Sequence, residues 1–387
     1  MLKNRRWLVL LFFLVLYGGN VAIADDYDSR QQRTELVQKG IQYLVENQKQ
    51  AGYWHMPLEE YEDGVWGNWG RENHDTSVTA LAALALLGLG NTPTRGLHHA
   101  AVDKAALYLL SHQREDGLIS NDDALPMYGH GYAALFLSQL YGMTPFDDKI
   151  KKALQKSVQL IARSQTVNGG WYYAPRPVGG VDLHEDDGSL TIVQIQALRG
   201  CRDAGISVPK RTIKMALNYI KASQNKNGRI EYDIHGKTAV SPALTIAGMA
   251  VLFYAGLSDF ENEDKTELEN IRNKGFDYLD RLEKSGNLNI FDPRQYRTFF
   301  MYTHFYAVQA YKQRSPKHFE PYFKNIQDTL IKTAKDGGSS RLYYSVPEED
   351  RSDRVYWDLG VAGKNYSTAI ALIILESPLD YLPIFEK

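Results

Sequence analysis

Apolar positions along this chain fall into two alternating kinds of helical stretch. In the first kind they keep to one stripe: Val37, Ile41 and Leu44; Ile213, Leu217 and Ile220; Leu268, Ile271, Leu279 and Leu282. The opposite faces carry Lys, Glu, Gln and Arg, the pattern of a helix with one packed side and one wet side. In the second kind nearly every position is apolar: Ser77–Leu89, Ser189–Leu198, Pro242–Gly256 and Ser367–Leu375. Tyr132–Tyr141 and Thr298–Tyr311 complete a set of six. A helix that is apolar all round is surrounded by protein. The alternation predicts six hairpins, each an amphipathic helix followed by a buried one.

A short glycine tract joins the two helices of each hairpin. Four tracts open with Gln and place Gly four residues later: Gln48 to Trp54, Gln113 to Ile119, Gln165 to Trp171 and Gln224 to Ile230. Degenerate copies stand at Glu283 to Leu288 and Lys335 to Leu342. The repeat is therefore about sixty residues long and runs end to end, which argues for one domain despite the length of 387 residues. An open solenoid would need a polar outer face on its last hairpin. The last buried stretch, with Ile370, Leu372, Ile373, Ile374 and Leu375, has none. The expected fold is all-α: a single (α/α)6 toroid, six buried inner helices inside six amphipathic outer ones. Pro209 fits the start of an outer helix, Gly90 and Gly205 the ends of inner ones. The long connections Tyr53–His74, Trp171–Asp187 and Gly337–Lys364 then emerge at one end, beside the inner helix N-termini. That end is the expected functional rim.

The N-terminus reads as a secretory signal. Lys3, Arg5 and Arg6 precede the apolar run Trp7–Tyr17, and Ala22-Ile23-Ala24 offers a cleavage site. Residues 1–24 are thus expected to be a leader, 25–387 the toroid, and the destination periplasmic or extracellular. Retention as an anchor and peripheral contact with a membrane stay open. Removing the leader's three cations moves the formal charge from −2 to −5. With no long basic run, nucleic acid is not an expected partner. The single cysteine, Cys201, rules out an internal disulfide framework and a multi-cysteine zinc site. No metal and no cofactor are expected.

The rim is acidic and aromatic. Asp186 and Asp187 immediately precede an inner helix, next to His184 and Glu185. Asp75, Asp187, Ser241 and Asn365 hold the places where N-caps belong. Asp186 lies one residue too early to cap, which makes it the candidate free carboxylate, with Asp187 and His184 beside it. His74, His130 and His304 are candidate polar partners, though their dispersal gives little support to a metal. Trp66, Trp69, Trp171, Tyr172, Tyr173 and Trp357 belong to the rim loops, Tyr302 and Tyr306 flank His304 on the fifth inner helix, and with His74, His130 and His304 they are the candidate substrate-binding residues. Trp54 and Trp171 fit packing between hairpins. Trp66, Trp69 and Trp357, outside the repeated tract, fit ligand contact.

The Gln-x3-Gly-x-Trp pattern at Gln48/Gly52/Trp54 and Gln165/Gly169/Trp171 resembles the repeat of the terpenoid cyclase and protein prenyltransferase superfamily, whose members are α/α toroids. The likeness spans residues 30 to 376. Within it, His184-Glu185-Asp186-Asp187 resembles the Asp-x-Asp-Asp acid motif of squalene-cyclizing enzymes, with His184 in place of the first Asp. The resemblance implies that Asp186 is the proton donor and Asp187 its support. Squalene-type cyclases use two toroids, and this chain has one. The zinc-binding prenyltransferase branch does not fit, because Cys201 lies late in its helix. Three readings stay open: a cyclase-like enzyme for a small hydrophobic isoprenoid, a polysaccharide lyase-like enzyme, and a non-catalytic binding module for a ligand or a protein.

Overall fold

A computed structural model describes residues 27–56, 73–176, 186–237, 242–254, 262–286, 289–295, 299–360 and 362–385. The outer–inner pairs are α1 (Tyr27–Asn47) with α2 (Asp75–Gly88), α3 (His99–Ser111) with α4 (Pro126–Leu140), and α5 (Asp147–Ser164) with α6 (Gly188–Asp203). They continue as α7 (Lys210–Ala222) with α8 (Ala243–Tyr254), α9 (Asn262–Lys284) with α10 (Phe300–Arg314), and α11 (Pro316–Thr333) with α12 (Gly363–Glu376). Each inner helix packs on the next, and α12 packs on α2, so the inner ring is closed. Outer helix α1 completes the outer layer against α11. All of α2 is buried, whereas α5 buries one stripe that includes Ile150, Leu154 and Ile161. The observed architecture is the expected all-α toroid.

The glycine tract is the device that sets one hairpin against the next. Each Gln side chain donates twice: to the carbonyl of the Gly in its own tract, and to a carbonyl of the following outer helix. Gln48 bridges Gly52 (3.0 Å) and Ala101 (2.8 Å); Gln113 bridges Gly117 (3.1 Å) and Ala153 (2.9 Å). Gln165 joins Gly169 to Thr212, and Gln224 joins Gly228 to Ile271. The glycines adopt φ of +89° to +98°, where an L side chain is strained. A Cβ would also meet the next outer helix, 2.5 Å from the Lys104 carbonyl at Gly52 and 2.6 Å from that of Lys156 at Gly117.

The aromatic residue of the tract then plugs the gap between layers. Trp54 and Trp171 are fully buried and donate their indole N–H to Leu44 and Ile161 of their own outer helices. Their backbone amides donate to Thr79 and Thr191 on the inner helix. Trp357 makes the same pair of bonds, to Leu330 of α11 and Thr368 of α12. It holds the tryptophan's place in the sixth hairpin. The two-residue strands β1 (Lys335–Asp336) and β2 (Val355–Tyr356) pair antiparallel and loop out the residues between them, which hides this register in the sequence.

Candidate functional site

Asp187 is the hub of the rim. Its backbone is extended (φ −110°, ψ 122°) and its carboxylate caps α6 by accepting the Leu190 amide at 2.8 Å. The same carboxylate accepts the hydroxyls of Ser189 (2.5 Å), Tyr173 (2.5 Å) and Tyr232. The Tyr173 and Tyr232 hydroxyls stand 2.5 Å from each other, and the Tyr128 hydroxyl meets that of Ser189. The phenols come from three consecutive sectors: the first turn of α4, the loop before α6 and the loop before α8. Backbone bonds pin these loops to the helices, from Met127 to the Tyr173 carbonyl (3.1 Å) and from Gly188 to the Tyr232 carbonyl (3.0 Å).

Electrostatics fix which partner carries the protons. Burial, and then the negative charge of Asp187, push the Tyr173 and Tyr232 phenols well above their ordinary range near 10. Both remain protonated donors. Asp187, 2% exposed, accepts from both of them. The set can orient a ligand hydroxyl against Asp187 and can exchange protons with it. It is poorly suited to protonating an unactivated double bond, because a phenol with a raised pKa is a weaker acid than usual.

Below this hub the lumen is lined by tyrosines. Tyr132 of α4, Tyr302 and Tyr306 of α10 and Tyr366 of α12 all have phenols raised chiefly by burial, and their charges would be felt by one another. Tyr128, Tyr302 and Tyr366 are half-buried, whereas Tyr132 and Tyr306 are buried. Tyr132 stands edge-on to Phe305, centroids 6.2 Å apart, across opposite members of the ring. The Gln196–Gln309 bond of 2.7 Å adds a second span, from α6 to α10. Among the described residues, the Tyr302 hydroxyl and Gln196 Oε1 are buried without a hydrogen-bond partner. Such atoms call for water or ligand hydroxyls.

The predicted site residues scatter between this hub and the core. Asp186 bonds to none of the Asp187 phenols: Asn168 donates to its Oδ2 at 3.0 Å, its Oδ1 is buried without a hydrogen-bond partner among the described residues, and it packs with Tyr219 around Gly170. Trp171 and Trp357 have no accessible surface, so neither can stack on a ligand. His130 and His304 are equally buried; one accepts the Ile119 amide, the other lies between Tyr322 (2.9 Å) and the Ile290 carbonyl (2.9 Å). Burial holds both imidazoles down at about 4, hence neutral. Tyr172 leans on Tyr173 at 5.1 Å, and Tyr302 lies 4.9 Å from Tyr306, which is fully buried. Trp66, Trp69, His184 and Ser241 lie outside the described residues.

Capping also differs from expectation at two places. His74, not Asp75, precedes α2 at the cap position, and its side chain makes no capping bond. Asp75 instead accepts from the Met56 amide (3.1 Å) and from His55 (2.9 Å). The Thr76 amide of α2 is taken by Asp123 of the neighbouring hairpin. Asn365 lies inside the first turn of α12 and donates to the His55 carbonyl. Cys201 is buried in α6, its thiol pushed up to about 12 by desolvation. Among the described residues no three His, Cys, Asp or Glu side chains converge on a metal position.

Sequence reasoning missed Tyr128, Tyr232 and Tyr366. A usable signal existed in the i, i+4 pairs Tyr128/Tyr132 and Tyr302/Tyr306, which put two phenols on one face of α4 and of α10.

No family model matches this chain, and no curated protein sequence matches it. Solved structures do. A cellobiose 2-epimerase from Bacillus thermoamylovorans aligns over 90% of this chain and 99% of its own, with 12% identity and a TM-score of 0.60. A D-mannose isomerase aligns over 92% and 99%, with 10% identity and a TM-score of 0.56. The type II terpene cyclase MstE from Scytonema, solved with geranylgeranyl dihydroxybenzoate, aligns over 92% and 99%, with 15% identity and a TM-score of 0.53. The chain therefore has the α/α-toroid fold of a type II terpene cyclase, which sugar epimerases and isomerases share.

Proposed function

We propose that this toroid binds a small hydroxylated molecule, of saccharide or polyol class, in the mouth above Asp187, and transfers protons on it. The observation that carries this reading is the convergence of four donors on one buried carboxylate, three of them hydroxyls that a ligand hydroxyl can replace. In the reaction Asp187 takes a proton from the ligand and an adjacent phenol, Tyr173 or Tyr232, returns one to it. The proton on Asp187 then passes to the phenolate, so the site ends as it began. The half-buried phenols and unpartnered polar atoms below offer further partners for hydroxyls. Epimerases and an isomerase of sugars among the structural neighbours accord with it as analogy.

A second reading, the cyclase-like one, draws on the aromatic faces of Tyr132, Tyr302, Phe305 and Tyr306, which suit a carbocation. Its acid would be Asp186, whose Oδ2 accepts from Asn168 and which packs beside Tyr219. Calorimetric titration of the purified protein with mannose, glucose and geranylgeraniol separates the two. Sugar binding that vanishes in Asp187→Asn supports the proposal. Binding of the prenyl alcohol alone favours the cyclase reading and overturns ours.

A further inference from the structure

The structure assigns to Lys237 the role of receiving a negative charge on the ligand, a carboxylate or a phosphate. This inference rests on the mouth reading above and narrows it to acidic saccharides.

The residue belongs to a turn built for rigidity. The Tyr232 amide donates to the Lys237 carbonyl at 2.8 Å, closing the loop from its two ends. Inside it, Asp233 Oδ1 accepts the amides of His235 (2.8 Å) and Lys237 (3.1 Å), and Gly236 supplies the left-handed bend at φ +83°. The turn is fastened to the site at two points, through the Tyr232 carbonyl to Gly188 (3.0 Å) and through the Tyr232 hydroxyl to Asp187. The ammonium of Lys237 rests 4.8 Å from the centroid of the Tyr232 ring. A cation over an aromatic face is held in place while its remaining N–H groups stay free.

The cation that precedes this turn is neutralised and Lys237 is not. Arg229 faces Glu231 at 3.6 Å. Lys237 is exposed and has no ion-pair partner among the described residues; Asp233 Oδ1 accepts two of the turn's own amides. One phenol ring thus separates a buried acceptor, Asp187, from an exposed cation. A ligand spanning the ring presents a hydroxyl to the first and an anionic group to the second. A uronic acid and a sugar phosphate both have that form.

The test is calorimetric titration of the full chain with glucuronate, glucose 6-phosphate and glucose. We expect one or both anions to bind about fivefold or more tighter than glucose, the scale of one partly exposed ion pair. Lys237→Gln should bring the anions down to the glucose value, Lys237→Arg should keep most of the preference, and added salt should weaken only the anions. The better of the two anions identifies the charged group. If glucose and both anions bind alike, or if Lys237→Gln leaves the ratio unchanged while Asp187→Asn abolishes all binding, the inference fails and the mouth reading survives. If none of the three binds, both fail.

Discussion

The Ile119 amide donates to His130 Nδ1 at 3.1 Å, in the place where four other hairpins use a threonine. Trp54 bonds Thr79, Trp171 bonds Thr191, Ile230 bonds Thr245 and Trp357 bonds Thr368. His130 is therefore the second hairpin's version of a repeated latch between tract and inner helix. His130→Thr should lie within about 1 kcal/mol of the parent. His130→Leu, which leaves a buried amide unpaired, should cost about 1–3 kcal/mol. Urea unfolding of the two variants measures the difference.

Both buried histidines tie stability to pH. Burial lowers His130 and His304 to about 4, below the ordinary value near 6.5. A depressed folded-state pKa means stability that is whole above about 6.5 and lost as pH falls towards about 4. Urea midpoints should drop between pH 7 and pH 4.5, and His130→Thr should flatten that slope by roughly half. An unchanged slope in the variant would show that His130 does not titrate on unfolding.

Glu376 acts in the opposite direction. It is 3% exposed, neither oxygen has a hydrogen-bond partner among the described residues, and Gly88 and Leu382 pack nearby. Burial pushes it well above the carboxylate range. A raised folded-state pKa gives stability that is whole below about 4.3 and lost as pH rises. Glu376→Gln should melt progressively higher than the parent as pH goes from 5 to 8, with little difference at the acid end. Thermal melts across that range provide the check.

Two glycines with the same backbone separate strain from crowding. Gly117 (φ +95°) has the Lys156 carbonyl 2.6 Å from where a Cβ would stand, whereas Gly142 (φ +92°) has open space. Gly142→Ala should cost about 1 kcal/mol from conformation alone. Gly117→Ala should cost more than about 2 kcal/mol, because hairpin three must also retreat from hairpin two. Equal losses by chemical denaturation would remove the tract from its spacing role.

Asp186 and Asp187, adjacent in sequence, should behave differently. Asp187→Asn replaces one of the two acceptor oxygens with an NH2 donor and removes the charge, and we expect about 1–3 kcal/mol of destabilisation with loss of ligand binding. Asp186→Asn should leave binding in place, since that side chain faces Asn168 and Tyr219. Side-by-side titrations decide, and a binding defect confined to Asp186→Asn would restore the acid-motif assignment.

Much of this was legible before any coordinates. The stripe of Ile213, Leu217 and Ile220 and the unbroken apolar run of Ser367–Leu375 specify which helices face water and which do not, because that depends on composition along one helix. The spacing of Gln48, Gln113, Gln165 and Gln224 specifies the hairpin repeat, because each tract makes the same local bonds. Trp357 escaped this reading only because an inserted loop displaces it from Lys335.

Which side chains meet was settled by the closed ring alone. Tyr128, Tyr173 and Tyr232 are far apart in the chain, and nothing local to any of them points to Asp187; the curvature of three packed hairpins brings them together. Nor does sequence tell Asp186 from Asp187. Successive residues at the start of a helix point in different directions, and only the neighbouring hairpins decide which direction is the lumen. Periodicity along a helix is a one-dimensional property that a sequence carries in full, whereas convergence of phenols on a carboxylate is a property of the closed ring.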